Sequence, residues 1–431
     1  MTGTSFSLPP PTPGGATSNP VLRYGIWVLV AAGLLLLPQV FSSGLAISTM
    51  CLMGTMVIFA LSYNMLLGQT GLLSFGHAVF LGLGGFLTAH AMNMGADGLF
   101  PLPLMFMPIV GGVTGLAFGI LFGAVCTRRA GTAFAMITLG IAELVASSAL
   151  ILRHVFGGEE GISVDRTELP QPLGIVFGPQ IEVYYLIAAW CFVSMLAMYA
   201  ITRTPFGRMC NAVRDNPVRV SFIGYNTTTI RFIAFSLAGL FAGIAGGLTA
   251  INFELVNAAQ MGAAESGTVI LMAYIGGTGF FAGPIIGAVL VTYLQLMLSD
   301  ITNVWQLYFG LMFIGIVMYA PNGIVGLLAA QRPLLERRCL HRMIPYYVLA
   351  LVPGLGALAG LSMVIEMTTQ LSVSGSEGMS MSLMHIPFEA DSVVPWSIAV
   401  VLLLAGGYGF LRAAAVTRNA YDTATADRRA G

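Results

Sequence analysis

Apolar runs recur almost from end to end of this chain, near residues 24–40, 44–66, 72–92, 101–126, 132–152, 183–201, 229–252, 266–281, 283–299, 304–322, 344–364 and 394–412. A bilayer's hydrocarbon core takes about 20 helical residues to cross. Twelve runs of about that length within 431 residues exceed what one water-soluble core can bury. In lipid the backbone must satisfy its own polar groups, so the runs read as helices. Composition agrees, with 57 % hydrophobic and 8 % charged residues, against roughly 25 % charged in a soluble domain. The expected fold class is all-α, a polytopic transmembrane helical bundle of about ten core spans plus two extra C-terminal spans.

Placing the N-terminus inside makes alternate loops cytoplasmic, and arginines in short loops then test the count. Arg23, Arg128, Arg129, Arg203, Arg208, Arg214, Arg219, Arg231, Arg332, Arg337, Arg338, Arg342, Arg412, Arg418, Arg428 and Arg429 fall inside, and only Arg153 and Arg166 outside. The acids Glu159, Glu160, Asp165, Glu168, Glu254, Glu265, Asp300, Glu366, Glu377, Glu389 and Asp391 fall in outer loops, a weaker signal. Both termini are thus expected in the cytoplasm. Residues 1–22, uncharged and with Pro9, Pro10, Pro11 and Pro13, read as a disordered tail. No Ala-x-Ala pattern follows the first apolar run, so that run is expected to be a retained span. Residues 23–330 then form the main transmembrane domain, 331–343 a basic cytoplasmic linker, and 344–431 an extension with two spans and a basic tail.

All eighteen Lys-or-Arg positions are Arg. Lacking Lys, the chain has neither the lysine of a phosphate-cradling P-loop nor a Schiff-base amine. A formal net charge of zero, with no basic and aromatic-interleaved patch, argues against nucleic acid. Cys51, Cys126, Cys191, Cys210 and Cys339 share no short metal-ligand spacing, so no metal, disulfide framework or cofactor is expected. His90, His154, His341 and His385 belong to no HExxH or triad pattern, and no carboxylate pair stands out.

Two stretches interrupt the helical pattern. The run at 68–92 opens Gly-rich, and 266–299 is divided by Gly276, Gly277, Gly279, Gly283 and Pro284. Either can be a broken or re-entrant span, tolerated where protein or a water-filled cavity covers the backbone. They supply the candidate translocation pathway: Asn64, Gly68, Gln69, Gly71, Ser74, Gly76 and His77 from the first, and the four glycines and Pro284 from the second. Taken singly, the polar members also fit interhelical hydrogen bonding. Glu143 lies inside a span, where a carboxylate costs about 2.5–3.5 kcal/mol on insertion scales, so it is expected to face protein or a cavity, or to be protonated. Glycines repeat every four residues at Gly111, Gly115, Gly119 and Gly123, at Gly239, Gly243 and Gly247, and at Gly279, Gly283 and Gly287, faces where a neighbouring backbone can approach closely.

The most informative stretch is Arg203-Thr-Pro-Phe-Gly-Arg-Met-Cys-Asn-Ala-Val-Arg-Asp-Asn-Pro-Val-Arg-Val-Ser-Phe-Ile-Gly224. Thr204 can cap a helix beginning at Pro205, and Asn216 a second beginning at Pro217 and stopping at Gly224. At 100° per residue Met209, Val213, Val220 and Ile223 share one side, while Arg208, Asp215 and Arg219 share another, with Pro217 disturbing the phase. Such a surface invites a soluble partner, or alternatively anionic membrane lipid.

These motifs make the chain recognisable by family. It resembles the permease subunits of ABC importers for branched-chain amino acids, of the LivM type. The resemblance is carried by Asn64-Met-Leu-Leu-Gly-Gln-Thr-Gly-Leu-Leu-Ser-Phe-Gly-His77; by Arg129-Ala-Gly-Thr-Ala-Phe-Ala-Met-Ile-Thr-Leu-Gly140 with Phe156-Gly-Gly-Glu-Glu-Gly-Ile162; by the Arg203–Gly224 loop; and by Ile275-Gly-Gly-Thr-Gly-Phe-Phe-Ala-Gly-Pro-Ile-Ile-Gly-Ala288. The Gly-Gly-x-x-Gly element points to this subunit type over its LivH-type sister. The resemblance implies a bacterial inner-membrane subunit paired with a LivH-type permease, two cytoplasmic ATP-binding subunits and a periplasmic substrate-binding protein. It also implies an ATPase-coupling role for the loop, with Arg203, Pro205, Phe206, Gly207, Arg208, Arg214, Asp215 and Gly224 as its residues. Pro217 stands where many relatives carry an acidic residue, and the extension beyond 331 follows the family's usual end.

Two other classes compete. A secondary transporter needs intramembrane charge to couple ions, yet Glu143 is nearly the only such group and no inverted repeat is evident. A membrane enzyme needs a catalytic constellation that the chain lacks. Within ATP-driven import, a urea or short-chain amide permease is the runner-up.

Overall fold

The computed structural model describes residues 20–99, 102–170, 177–320, 322–331, 340–373, 380–383, 386–389 and 393–426. Residues 1–19 of the expected tail, Arg332, Arg337, Arg338 and Cys339 of the linker, and Glu377, His385, Asp391, Arg428 and Arg429 lie outside them, as do the side chains of Arg23, His341, Arg342, Glu389 and Arg418.

Each of the twelve apolar runs forms helix. In order these are α1 (Pro20–Val40), α2 (Gly44–Thr70), α3 (Ala78–Ala96), α4 (Met107–Cys126), α5 (Thr132–Ile151), the single turn α6 (Arg153–Phe156), α7 (Gln180–Arg203), α8 (Pro205–Asp215), α9 (Pro217–Phe222), α10 (Thr227–Phe253), α11 (Ala263–Gly276), α12 (Ala282–Ile301), α13 (Trp305–Tyr319), α14 (Gly323–Ala330), α15 (Leu340–Val373) and α16 (Val393–Ala426). Among the described residues eight helices are long and apolar enough to cross a membrane, or nine if α13 and α14, bent by 41°, are one span. Two of the helices that fall short lie at the breaks. The 14 residues of α11 rise about 21 Å, short of a hydrocarbon core of about 30 Å. α3 carries His90 and Asn93 among its glycines.

The chain divides into two compact units, 1–297 and 298–431. In the first, α10 is the central post, buried along most of its length from Ala234 to Ile251, with α2, α3 and α4 packed around it. The glycine repeats explain that closeness. Gly111 and Gly115 of α4 lie on the backbone of Gly243 and Gly239, and a Cβ on Gly119 would stand 3.0 Å from Ser236 Cα. Gly276, Gly283 and Gly287 crowd one another's backbone where α11 turns into α12. Near one end of α7, β1 (Ile162–Ser163) pairs antiparallel with β2 (Leu255–Val256), Ile162 opposite Val256.

In the second unit α15 and α16 pack lengthwise through small residues. Gly360 meets Leu403, and Gly406 meets Ala357 and Pro353. Leu351, Val352, Leu355, Val401 and Leu404 on their remaining faces are exposed, as expected of helices solvated by lipid. A two-stranded hairpin, β3 (Ser380–Leu383) and β4 (Ile386–Glu389), lies between them in sequence.

Candidate functional site

Loop 203–226 forms both expected helices. Thr204 Oγ1 accepts from Gly207 N at 3.3 Å and Asn216 Oδ1 from Arg219 N at 2.9 Å, each followed by Pro at the first helical position. Cys210, Val213 and Val220 bury together with Ile230 and Ala234 of α10, covered by Phe206, Met209 and Ala212. This small core fixes the loop to the first turns of α10. Burial also pushes the Cys210 thiol up to about 12. Gly207 is buried where α8 folds back on α7, and a Cβ there would strike the Thr202 backbone. Gly224, just past the end of α9, takes φ +89° in open space, so its requirement is for backbone conformation.

One face differs from the periodicity. Ile223 is exposed and does not join Val213 and Val220, because the break at Asn216–Pro217 resets the helical phase. With Phe222 at 85 % exposure, Val218 and Tyr225, it makes an apolar knob beside Arg219. Sequence reasoning missed this knob; the signal for it was the Ser-Phe-Ile-Gly-Tyr run at a helix end with no later apolar partner in phase. Arg208, Arg214, Asp215 and Arg219 are exposed. Arg203 turns back onto α7, donating to Tyr199 Oη at 2.7 Å with its guanidinium over the ring.

The first break is a seven-residue non-helical link, 71–77, between α2 and α3. It is tied to two other helices: Phe75 N donates to Thr138 Oγ1 of α5 at 3.2 Å, and Ala78 N to Ser266 Oγ of α11 at 3.1 Å. Gly76 lies against the Thr138 carbonyl. His77 is fully buried, its Nε2 2.9 Å from Ser62 Oγ and its ring stacked on Phe59. Asn64 and Ser74 are buried, and Gln69 half-buried. Tyr63 Oη, Asn64 Oδ1, Ser74 Oγ and His77 Nδ1 have no hydrogen-bond partner within the described protein. Four such atoms along one short stretch make a polar seam in an otherwise apolar bundle, at a place where buried polar groups are ordinarily paired.

The second break runs from Gly277, at φ +109°, to Phe281. Gly276, Gly283 and Pro284 are buried and Gly279 has open space. The last turn of α2 meets the second break at Gly68, whose missing Cβ would stand 2.5 Å from the Thr278 carbonyl. Arg214 reaches the same point, donating from a terminal guanidinium nitrogen to the Gly68 carbonyl. The structure thus brings Arg214 together with Gly68 and Gly71. It leaves Glu143 apart, exposed on α5 rather than turned into this chain.

At the other end of α7, Arg166 is 10 % exposed and surrounded. Its guanidinium donates to the carbonyls of Gly178 at 3.0 Å and Ile251 at 3.4 Å and to Gln180 Oε1 at 3.3 Å, and lies 3.7 Å from Glu254. Glu254 itself adopts φ +53° and accepts from Arg166 N. Thr167 N and Oγ1 both donate to Asp165, which holds that carboxyl below the usual range.

Residues 45–321 match the family described as branched-chain amino acid transport system / permease component. The chain belongs to that family. It is 27 % identical over 308 residues to the high-affinity branched-chain amino acid transport system permease protein LivM of Salmonella typhimurium, covering 65 % of this chain and 69 % of the relative. It is 23 % identical over 288 residues to BraD of Pseudomonas aeruginosa, a permease protein of the same description, covering 63 % and 92 %. The autoinducer 2 import system permease protein LsrC of Yersinia pseudotuberculosis is 28 % identical over 293 residues, covering 65 % and 76 %. No solved structure matches the chain. As a member of this family, the protein is a multi-pass permease subunit of an ABC importer. The match ends before α15 and α16.

Proposed function

We propose that the chain forms half of an inner-membrane pathway for branched-chain amino acids, with both termini cytoplasmic. A LivH-type permease forms the other half, a periplasmic protein delivers substrate, and two cytoplasmic ATPases hydrolyse ATP and press on loop 203–226. The observation that carries this reading is the loop itself. Its apolar residues split into an inward core around Val213 and an outward knob around Phe222, with Arg208 on α8 and Arg219 on α9 both exposed and without an ion-pair partner among the described residues. Exposed aromatic and arginine side chains on a rigid mount are the usual anchors of a protein interface.

The polar seam at Asn64, Ser74 and His77, with the breaks at 71–77 and 277–281, supports a pathway along this edge of α2. Glu143 supports a second permease subunit: a carboxylate on an exposed face of a span needs another protein surface or water opposite it. Residues 23–330 then act as the transporting domain and 344–431 as an appended pair of spans.

Replacing Arg208, Arg214 and Arg219 together with Glu in the reconstituted complex is expected to abolish substrate-stimulated ATP hydrolysis; unchanged stimulation rejects the coupling role. Uptake of leucine, urea, acetamide and autoinducer 2 by the unsubstituted complex decides the solute, with leucine expected.

A further inference from the structure

We infer that Arg214 is the positioning residue through which loop 203–226 grips both broken-helix ends, so that displacement of the loop moves Gly68 and the turn at Thr278 together. The inference rests on the reading of the loop as the ATPase contact.

The last carbonyls of a helix have no partner within it. At the end of α2, Gly71 takes φ +69°, its N–H returning to the Leu67 carbonyl at 3.2 Å and that of Leu72 to Leu66 at 3.1 Å. The Gly68 carbonyl is satisfied instead from 146 positions away, by Arg214. A cation at this position also complements the negative end of the helix dipole. Gly71 leaves room for the arm that does it, since a Cβ there would lie 3.1 Å from Arg214 Cγ. On its other side Gly68 presses on the Thr278 carbonyl, inside the turn between α11 and α12. One guanidinium therefore caps α2 at the residue on which the second break rests.

The mount is stiff. Arg214 is the last but one residue of α8, whose Cys210 and Val213 are buried against Ile230 and Ala234 of α10. Its Nε meets Asp215 Oδ1 at 3.0 Å, so the side chain is held from the exposed side and from the helix end at once. A force applied to Arg208, Arg219 or Phe222 has a direct route through α8 to Gly68. From there it reaches the link that carries Ser74 and His77.

The test uses the full complex with its ATPases and binding protein in proteoliposomes, comparing R214Q, R214M and R214K. Two quantities are read: leucine taken up per ATP hydrolysed, and the ATP-driven change in mobility of a nitroxide label at position 69. Losing one charged hydrogen bond is expected to lower uptake per ATP about tenfold in R214Q. The label is expected to lose its response to ATP, and R214K to restore at least half of both. R214M keeps the stem against Gly71 and decides the matter should R214Q fail to assemble. An unchanged ratio, a fall of hydrolysis and uptake in proportion, or a label that still responds would each overturn the inference. An ATPase indifferent to reversal of Arg208 and Arg219 overturns the underlying coupling reading instead. A complex that hydrolyses ATP and moves no leucine overturns the solute alone, and the label then judges Arg214.

Discussion

The two ends of α7 both turn on arginine, and they use it in opposite ways. At one end Arg166 is 10 % exposed, with every partner supplied by this chain: two carbonyls, Gln180 and Glu254. At the other, Arg208 and Arg219 are exposed on the two helices of the loop that carries the Phe222 knob, and Arg214, at 38 % exposure, is divided between Asp215 and the Gly68 carbonyl. A buried guanidinium whose two terminal nitrogens both donate within its own chain and whose charge faces its own carboxylate is a structural clamp. One with donors left over, next to exposed aromatic surface, is fitted for another molecule.

Perturbations that separate clamp from docking surface follow in order of size. R166M should destabilise the purified protein by about 3 kcal/mol, near the low end for breaking a buried pair because Glu254 is 37 % exposed. Thermal unfolding in nanodiscs reads it, and a loss below about 1 kcal/mol would mean that Arg166 is no clamp. F222A with I223A should leave unfolding within about 0.5 kcal/mol and weaken ATPase binding by about 2 kcal/mol, roughly thirtyfold. A titration of the ATPase showing equal affinity would erase the contrast between the two ends. N216A removes the cap on Arg219 N and should cost about 1 kcal/mol, seen as faster amide exchange confined to α9.

The smallest effect concerns pH. Cys210 is raised from 9.0 to about 12 by burial, so the folded loop prefers the neutral thiol. Its stability is fully present below pH 9 and is lost as pH rises toward 12. Maleimide labelling of Cys210 should therefore be slow at pH 8, and proteolysis within the loop should increase above pH 9. Fast labelling at pH 8 would mean that the core around Val213 opens readily.

Helices, breaks and caps were legible in the sequence because each rests on local chemistry. Apolar run length marks the spans, glycine clusters mark residues 71–77 and 277–281, and Thr-Pro and Asn-Pro mark the starts of α8 and α9. What escaped depends on chain reversal. Counting arginines assigns Arg166 to a side of the membrane and is blind to its burial against Ile251 and Gly178. The 100° projection grouped Ile223 with Val213 and Val220 and marked the disturbance at Pro217, but the size of that phase shift is set by the turn at Asn216, which only the fold fixes. The junction of Arg214 with Gly68 joins two motifs that the sequence offers separately, with nothing periodic to connect them.

The most direct trial of the passive-permease account is solute accumulation in proteoliposomes holding this chain alone, or the chain with its partner permease, ATPases and binding protein. Leucine should accumulate only in the complete set and only with ATP inside the compartment that the ATPases face. Uphill uptake by the chain alone on an imposed proton or sodium gradient would contradict it.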